Sequence, residues 1–248
     1  ESITREDLLK FHAQYYVGRN ATLAIVGDLS LADAKSYADA LTRYLKPGKA
    51  AQPAAAIRES KSAGKTVRID FDATQTHIKV GMPVVARKDP DYFALYVGNH
   101  VFGGSGFSSR LMQEIREDRG LVYSVYSYFL PMHSNGPFEM SLQTANNQAE
   151  QALGLLESLL AEFIQNGPTE EELQHAKSNI TGGFPLKIDS NKKIVEYLAL
   201  IGFYNLSLDY LDTFNQKIEA VTVAQIRDAF QRRVKPEKML RVIVGGEP

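Results

Sequence analysis

The sequence predicts an α/β fold, of the α+β kind, and two observations support this. Short stretches of β-branched, aromatic or alternating residues recur along the chain, as is typical of strands. Longer stretches carry apolar residues at helical spacing, and several of them open with a capping pattern such as Thr4-x-x-Asp7 or Thr169-x-x-Glu172. Helices and strands are therefore both expected over most of the chain.

Each element follows from its local pattern. The first helix opens at the Thr4 cap and carries Leu8, Phe11 and Tyr15 at helical spacing. Further helices are predicted over residues 31–45, 92–102, 149–165, 190–203 and 208–220, and after the caps at Thr169 and Thr222. Strands are predicted over residues 21–26, 66–71, 77–82, 121–127, 137–144 and 239–244. Residues 46–64 contain two prolines and two glycines and show no periodicity, so they predict a linker.

The composition excludes several classes of function. Hydrophobic residues make up 44% and charged residues 23% of the chain, which is ordinary for a globular protein. The formal charge of −1 gives no reason to expect nucleic acid or an acidic membrane surface as a partner. No apolar run is long enough to span a bilayer. Because the chain has no cysteine, disulfides and thiolate metal sites are excluded.

The end of the chain repeats its beginning. Residues 4–28 can be laid on residues 222–246 without a gap, so that cap, helix, turn, strand and terminal glycine coincide. The alternative is two ordinary capped helix–strand units without a common origin. If the repeat is real, residues 1–46 are the C-terminal tail of a first domain and residues 47–64 are the linker. Residues 65–248 are then a complete second, homologous domain.

The chemistry-bearing stretch is residues 99–128. A predicted helix runs into a glycine-rich turn, a second short helix follows, and Gly120 ends that helix before a strand begins. Arg116 is placed in the last turn of the short helix and Tyr123 near the first position of the strand. A tight reversal between them would bring a guanidinium and a phenol to one spot. The charged run 114–119 predicts a solvated helix face with pairs at i,i+3 and i,i+4.

No metal ligands are expected in this chain. None of the histidines stands in H-E-x-x-H, in H-x-x-E-H or in any other two-ligand spacing on a helix face; they are His12, His77, His100, His133 and His175. The glycine turn also lacks the preceding strand and the following Lys-Ser/Thr that a phosphate loop requires.

Residues 103–127 (GGSGFSSRLMQEIREDRGLVYSVYS) resemble the C-terminal-domain signature of pitrilysin-type (insulinase-like) zinc peptidases, the family that includes mitochondrial processing peptidase. Residues 4–28 resemble the close of that family's N-terminal domain, and residues 182–212 resemble a bacterial branch. The resemblance implies homologous domains, each with a mainly antiparallel sheet and helices on one side. It also implies that the zinc motif H-x-x-E-H lies in the N-terminal domain, so zinc is expected in an upstream domain or in a partner subunit.

The resemblance assigns a role to two residues. In the family, an Arg and a Tyr seven residues apart face the zinc across a closed chamber and hold the substrate backbone, and the Tyr supports the developing oxyanion. The matching positions are Arg116 and Tyr123, whose polar groups should then lack strong partners in the free chain. The alternative is that Arg116 pairs with a nearby acid and Tyr123 packs in the sheet.

Three functions follow from this resemblance. The preferred one is the non-catalytic subunit of a bacterial pair, which binds peptide and completes a cleavage chamber with a zinc-bearing homologous subunit. The parent chain is otherwise a self-sufficient peptidase with its own upstream zinc domain, or a scaffold subunit without catalysis. A periplasmic location is expected from the bacterial branch.

Overall fold

The structure is a computed structural model that describes residues 2–53, 57 and 61–246. Its strands are β1 (Thr66–Asp70), β2 (Gln75–Val85), β3 (Ser124–Phe129), β4 (Gly136–Ala145) and β5 (Leu240–Gly245). Its α-helices are α1 (Arg5–Tyr15), α2 (Leu31–Thr42), α3 (Tyr92–Asn99), α4 (Ala149–Asn166), α5 (Glu170–Gly183), α6 (Asn191–Tyr204), α7 (Tyr210–Glu219) and α8 (Val223–Arg233).

The strands form one sheet in the order β1-β5-β2-β4-β3, and every pairing except β1 with β5 is antiparallel. Its two faces differ in burial. On β2, for example, Ile78 and Val80 are buried whereas Lys79 is exposed. Helices α3, α4 and α8 pack on the buried face. The prediction of an α/β fold with a mainly antiparallel sheet and helices on one side is confirmed.

An aromatic cluster forms the core between this sheet and its helices. Phe138 on β4 stacks on Phe129 with ring centroids 4.5 Å apart, and Phe163 on α4 lies 5.0 Å from Phe230 on α8. The ring centroid of Phe102 lies 5.1 Å from that of Phe163. Because Phe102 lies just before the glycine-rich turn, the core fixes the position from which that turn starts.

The chain divides into two compact units. The first comprises Glu1–Ala55 and Phe184–Tyr210, and the second comprises Ala56–Gly183 and Leu211–Pro248. The second unit contains the sheet and the whole signature stretch. Residues 184–210 thus group with the N-terminal part of the chain, whereas the prediction put them inside one domain of residues 65–248. The boundaries 1–46, 47–64 and 65–248 stay a prediction.

The two copies of the predicted repeat agree in their first halves. Helices α1 and α8 have the same length, and each opens with a complete capping box, at Thr4 and at Thr222. A short 3₁₀ turn follows at the equivalent place in each copy, Gly18–Asn20 and Pro236–Lys238.

The second halves differ. β5 is a strand, but the strand predicted over residues 21–26 is wrong, since this segment has no regular structure. A β-strand needs backbone hydrogen bonds to a neighbouring strand. Among the described residues, no strand pairs with this segment.

Two helical segments of the signature stretch differ from their prediction in kind. After α3 the chain continues as a π-helix (His100–Gly104), and the short helix before Gly120 is mostly a second π-helix (Met112–Glu117). The following strand begins at Ser124 rather than at Leu121. π-Helical turns are rare and recur at functional sites.

Candidate functional site

The predicted reversal is formed at Gly120. This glycine has φ +62°, the left-handed region that favours a residue without Cβ. Its amide donates to the Arg116 carbonyl at 2.9 Å, and the Leu121 amide donates to the Ile115 carbonyl at 3.0 Å. Ile115 is fully buried, so it anchors the second π-helix and leaves the neighbouring Arg116 at the surface.

Tyr123 projects from the other side of the reversal. Leu121 and Val122 are buried, and the buried Thr144 hydroxyl donates to the Leu121 carbonyl, which pins this segment to β4. Tyr123 itself is 81% exposed and precedes β3 by one residue. It therefore does not pack in the sheet.

The two predicted residues lie together, and a third joins them. The Arg116 guanidinium carbon is 5.8 Å from the centroid of the Tyr123 ring and 4.7 Å from that of the Phe107 ring. We call Phe107, Arg116 and Tyr123 the aromatic–arginine cluster. Arg116 also donates to the Glu117 carboxylate at 3.0 Å. At these distances both rings make cation–π contacts with the guanidinium.

Sequence reasoning missed Phe107. It lies in a 3₁₀ turn (Gly106–Ser108) that follows the first π-helix, and 69% of it is exposed. A large apolar residue inside a glycine-rich turn was the available signal, because a surface turn gives such a side chain no core to enter. The contact between Phe107 and Arg116 cannot be predicted from their spacing in the sequence.

The charged run pairs in a different register from the predicted one. Arg119 bonds to Glu114 at 2.6 Å, and Gln113 donates to Asp118 at 2.7 Å. Both pairs are separated by five residues, because a π-helix brings i and i+5 to the same face. The predicted i,i+3 and i,i+4 pairs are therefore wrong here, while the solvated face is as expected.

Arg110 ties the turn of the cluster to helix α5. Its Nε and Nη2 bond to the two carboxylate oxygens of Glu172 at 2.5 and 2.6 Å, and Nη2 also reaches the Gly167 carbonyl at 3.2 Å. Burial acts to raise the pKa of Glu172, but hydrogen bonds from Arg110 and from the Thr169 backbone outweigh it and lower this pKa. The pair is thus ionised at neutral pH.

The more exposed face of the sheet borders the site along β3. Tyr126 and Tyr128 project from this face, and Lys79 bonds to Glu139 at 2.6 Å across the neighbouring strands. The hydrogen bond with Glu139 raises the pKa of Lys79, and burial together with Glu139 raises the pKa of Tyr128. An apolar cavity of about 630 Å³ adjoins this group, lined in part by Gly81, Pro83, Phe138, Leu240 and Val242.

The described residues do not fit a zinc site. Within them, no three His, Asp or Glu side chains lie close enough together to hold a metal ion. His100, His175 and Glu172 line a cavity of about 560 Å³ beside the glycine-rich turn, but Glu172 is bonded to Arg110 and the three are not grouped closely enough to hold a metal ion. In the same part of the chain, no helix combines the length and apolarity needed to cross a membrane.

The fold and the signature stretch together define a pitrilysin-type domain in whose described residues no metal ligands are clustered. Comparison with family models matches residues 2–180 to the "Peptidase M16 inactive domain". The chain therefore belongs to this family, and the resemblance found in the sequence is confirmed.

Individual relatives agree with the family. An uncharacterized zinc protease of Streptomyces coelicolor is 29% identical over 205 residues, which cover 80% of this chain and 44% of that protein. A non-peptidase homolog of Helicobacter pylori is 24% identical, in an alignment that covers 100% of this chain and 57% of that protein. The crystal structure of a peptidase M16 inactive domain from Pseudomonas fluorescens is 39% identical with a TM-score of 0.93, covering 100% of this chain and 58% of that one. The chain spans about half the length of the curated relatives it matches.

Proposed function

We propose that this chain is the substrate-binding, zinc-free subunit that completes a peptide-cleaving chamber with a zinc-bearing homologous partner. One observation carries the proposal: the reversal at Gly120 places the Arg116 guanidinium beside the exposed ring of Tyr123. The Tyr123 hydroxyl has no hydrogen-bond partner among the described residues, so it is available to a ligand.

This pair of donors suits a peptide carbonyl. When a peptide bond is attacked, negative charge develops on its carbonyl oxygen, and donors fixed beforehand stabilise that charge. Buried neighbours fix the backbone positions of Arg116 and Tyr123 on both sides of the reversal, so only the two side chains have to be ordered when substrate binds. A zinc ion in the partner would activate the attacking water.

Two other functions remain to be separated from this one. A self-sufficient peptidase would carry H-x-x-E-H in a domain upstream of these residues, as the name of the Streptomyces relative allows. A scaffold subunit would need neither Arg116 nor Tyr123 exposed. The Helicobacter relative described as a non-peptidase homolog supports a chain without its own catalysis. The parent sequence upstream of residue 1 distinguishes the first alternative directly.

The test uses the complex with the zinc-bearing homologue of the same organism. Tyr123→Phe removes one hydroxyl from an exposed ring, so folding should be unaffected while kcat falls about a hundredfold. Arg116→Ala should also raise KM, because the guanidinium holds the substrate backbone before the reaction. Peptide turnover by the purified complex measures both effects.

Two matched controls complete the test. Tyr126→Phe removes a hydroxyl from another partly exposed tyrosine, and Arg119→Ala removes an arginine of the same surface run. Both should keep wild-type turnover. Wild-type activity of Tyr123→Phe and Arg116→Ala in a verified complex would leave the scaffold function as the better account.

The proposal places the complex in the periplasm, on the strength of the bacterial branch that residues 182–212 resemble. Fractionation of cells that express the tagged parent protein measures this directly. If the tagged protein were recovered only with cytoplasmic markers, the periplasmic location would be contradicted, but the peptide-binding role would not be affected.

A further inference from the structure

Phe107 is held at the surface by a turn with little freedom. Gly106 adopts φ +62°, and both the amide and the hydroxyl of Ser109 donate to its carbonyl, at 3.0 and 2.7 Å. Ser109 is fully buried, so the turn is anchored from below while Phe107 stays 69% exposed. The turn therefore holds the backbone of Phe107 at a defined place on the surface.

From that place the Phe107 ring contacts the Arg116 guanidinium. Phe107 lies closer to the guanidinium carbon than Tyr123 does, at 4.7 against 5.8 Å. A guanidinium stacks on aromatic rings through its flat face, while its N–H donors point outward in its plane. Stacking therefore restrains the direction of the donors without occupying them.

We infer that Phe107 is a positioning residue for Arg116: its ring holds the guanidinium plane so that the free donors meet a peptide carbonyl. The inference rests on the proposed function for the identity of the ligand. Phe107 acts through Arg116, so its loss should weaken substrate binding more than it slows the chemical step. A stack at an exposed site corresponds to a change in binding of about twofold to fivefold.

The first measurement needs no activity. In the isolated chain, the Nε–H group of Arg116 is followed by NMR and assigned with Arg116→Lys. Phe107→Leu keeps apolar bulk but removes the ring, so this proton should lose its ring-current shift and the group should become more mobile. Phe107→Tyr should keep both properties near wild type.

A matched control tests whether any surface phenylalanine has this effect. Phe71 is 63% exposed and follows β1, at the opposite edge of the sheet from β3 and roughly 19 Å away across the strands. Phe71→Leu should leave the Arg116 signal unchanged. An unchanged signal in Phe107→Leu would overturn the inference.

The second measurement uses the complex with the zinc-bearing homologue. Phe107→Leu should raise KM about twofold to fivefold with kcat within twofold of wild type, and Phe107→Tyr should restore KM. If Arg116→Ala is defective but Phe107→Leu has a normal KM, the inference is overturned and the proposed function stands. If Arg116→Ala and Tyr123→Phe are both fully active, the proposed function fails, and the substrate role of Phe107 fails with it.

Discussion

Among the residues that the structure describes, Arg116 has one ionic partner, Glu117, and that partner is replaceable. Its bond to Glu117 joins adjacent residues whose side chains are 27% and 47% exposed. Exposed ion pairs contribute about 0.2–1 kcal/mol, because water solvates both charges well. Under the proposed function, a substrate carbonyl would therefore displace Glu117 at small cost.

Glu117→Gln should accordingly strengthen substrate binding. Removing the competing carboxylate frees Arg116 donors, so KM in the assembled complex should fall about twofold while kcat changes little. Glu114→Gln serves as the control, since Glu114 pairs with Arg119 instead. A raised KM in Glu117→Gln would mean that the carboxylate orients Arg116 rather than competing for it.

At the scale of elements, the Arg110–Glu172 pair joins the start of α5 to the turn that carries Phe107. Its side chains are only 20% and 30% exposed, and both guanidinium bonds are charge-assisted. Because the pKa of Glu172 is lowered in the folded chain, this pair stabilises the protein above the unfolded pKa, and the gain disappears as pH falls through the folded value.

Glu172→Gln tests this pH dependence. At pH 7 the substitution should lower the free energy of unfolding by about 2 kcal/mol. As the pH falls from 5 toward 3 the difference from wild type should shrink, because the unfolded wild-type chain binds a proton at the ordinary Glu pKa while the folded chain binds it only at lower pH. Urea unfolding at several pH values measures it, and a difference that stays constant over that range would contradict the assigned ion pair.

Elements whose stabilising bonds are local could be predicted from the sequence. The capping boxes at Thr4 and Thr222 close between residues three apart, so the starts of α1 and α8 are correct. The first π-helix (His100–Gly104) could not be predicted from its own pattern, because it lies against a strand that is distant in the sequence. A Cβ on Gly103 would collide with Ser127 on β3, so this close approach of helix and strand depends on tertiary packing.

In the candidate site, too, some residues could be predicted from the sequence and others could not. Arg116 and Tyr123 could be found because their spacing matches a family signature and Gly120 predicts the reversal. Phe107 joins them only through the path of the glycine-rich turn. The residues 21–26 show the opposite error: their composition favours a strand, but a strand also requires a neighbour.

At the scale of the whole molecule, the two copies of the repeat differ in burial. In α8, which packs against α3 and α4, Ile226 and Ala229 are fully buried. Their equivalents in α1, Leu8 and Phe11, are 61% and 55% exposed. Equal helices with unequal burial are expected if α1 belongs to a first domain whose sheet lies in sequence upstream of this chain.

A longer chain of the parent protein tests that domain organisation. When upstream residues are included, the amides of residues 22–27 should become protected from hydrogen exchange, as those of β5 should already be. The same experiment on residues 1–248 should show fast exchange for 22–27. Equal exchange in both chains would contradict the assignment of residues 1–46 to a first domain.

The isolated chain should be inactive. Without three clustered ligands among its described residues, it should bind no stoichiometric zinc and cleave no peptide. Elemental analysis and a peptide assay with and without chelator measure this. One equivalent of zinc with chelator-sensitive cleavage would contradict the proposed division of labour between subunits.

In the second π-helix, the number of residues matters as much as which residues they are. Met112–Glu117 forms a turn that is wider than an α-helical one. If the segment relaxed to an α-helix with all its residues kept, the residues after it would rotate by about 100° around the axis. Arg116 would then face away from Tyr123 although both side chains were intact. Removing one residue as well would cancel this rotation, so the length of the segment and its wide turn have to match each other.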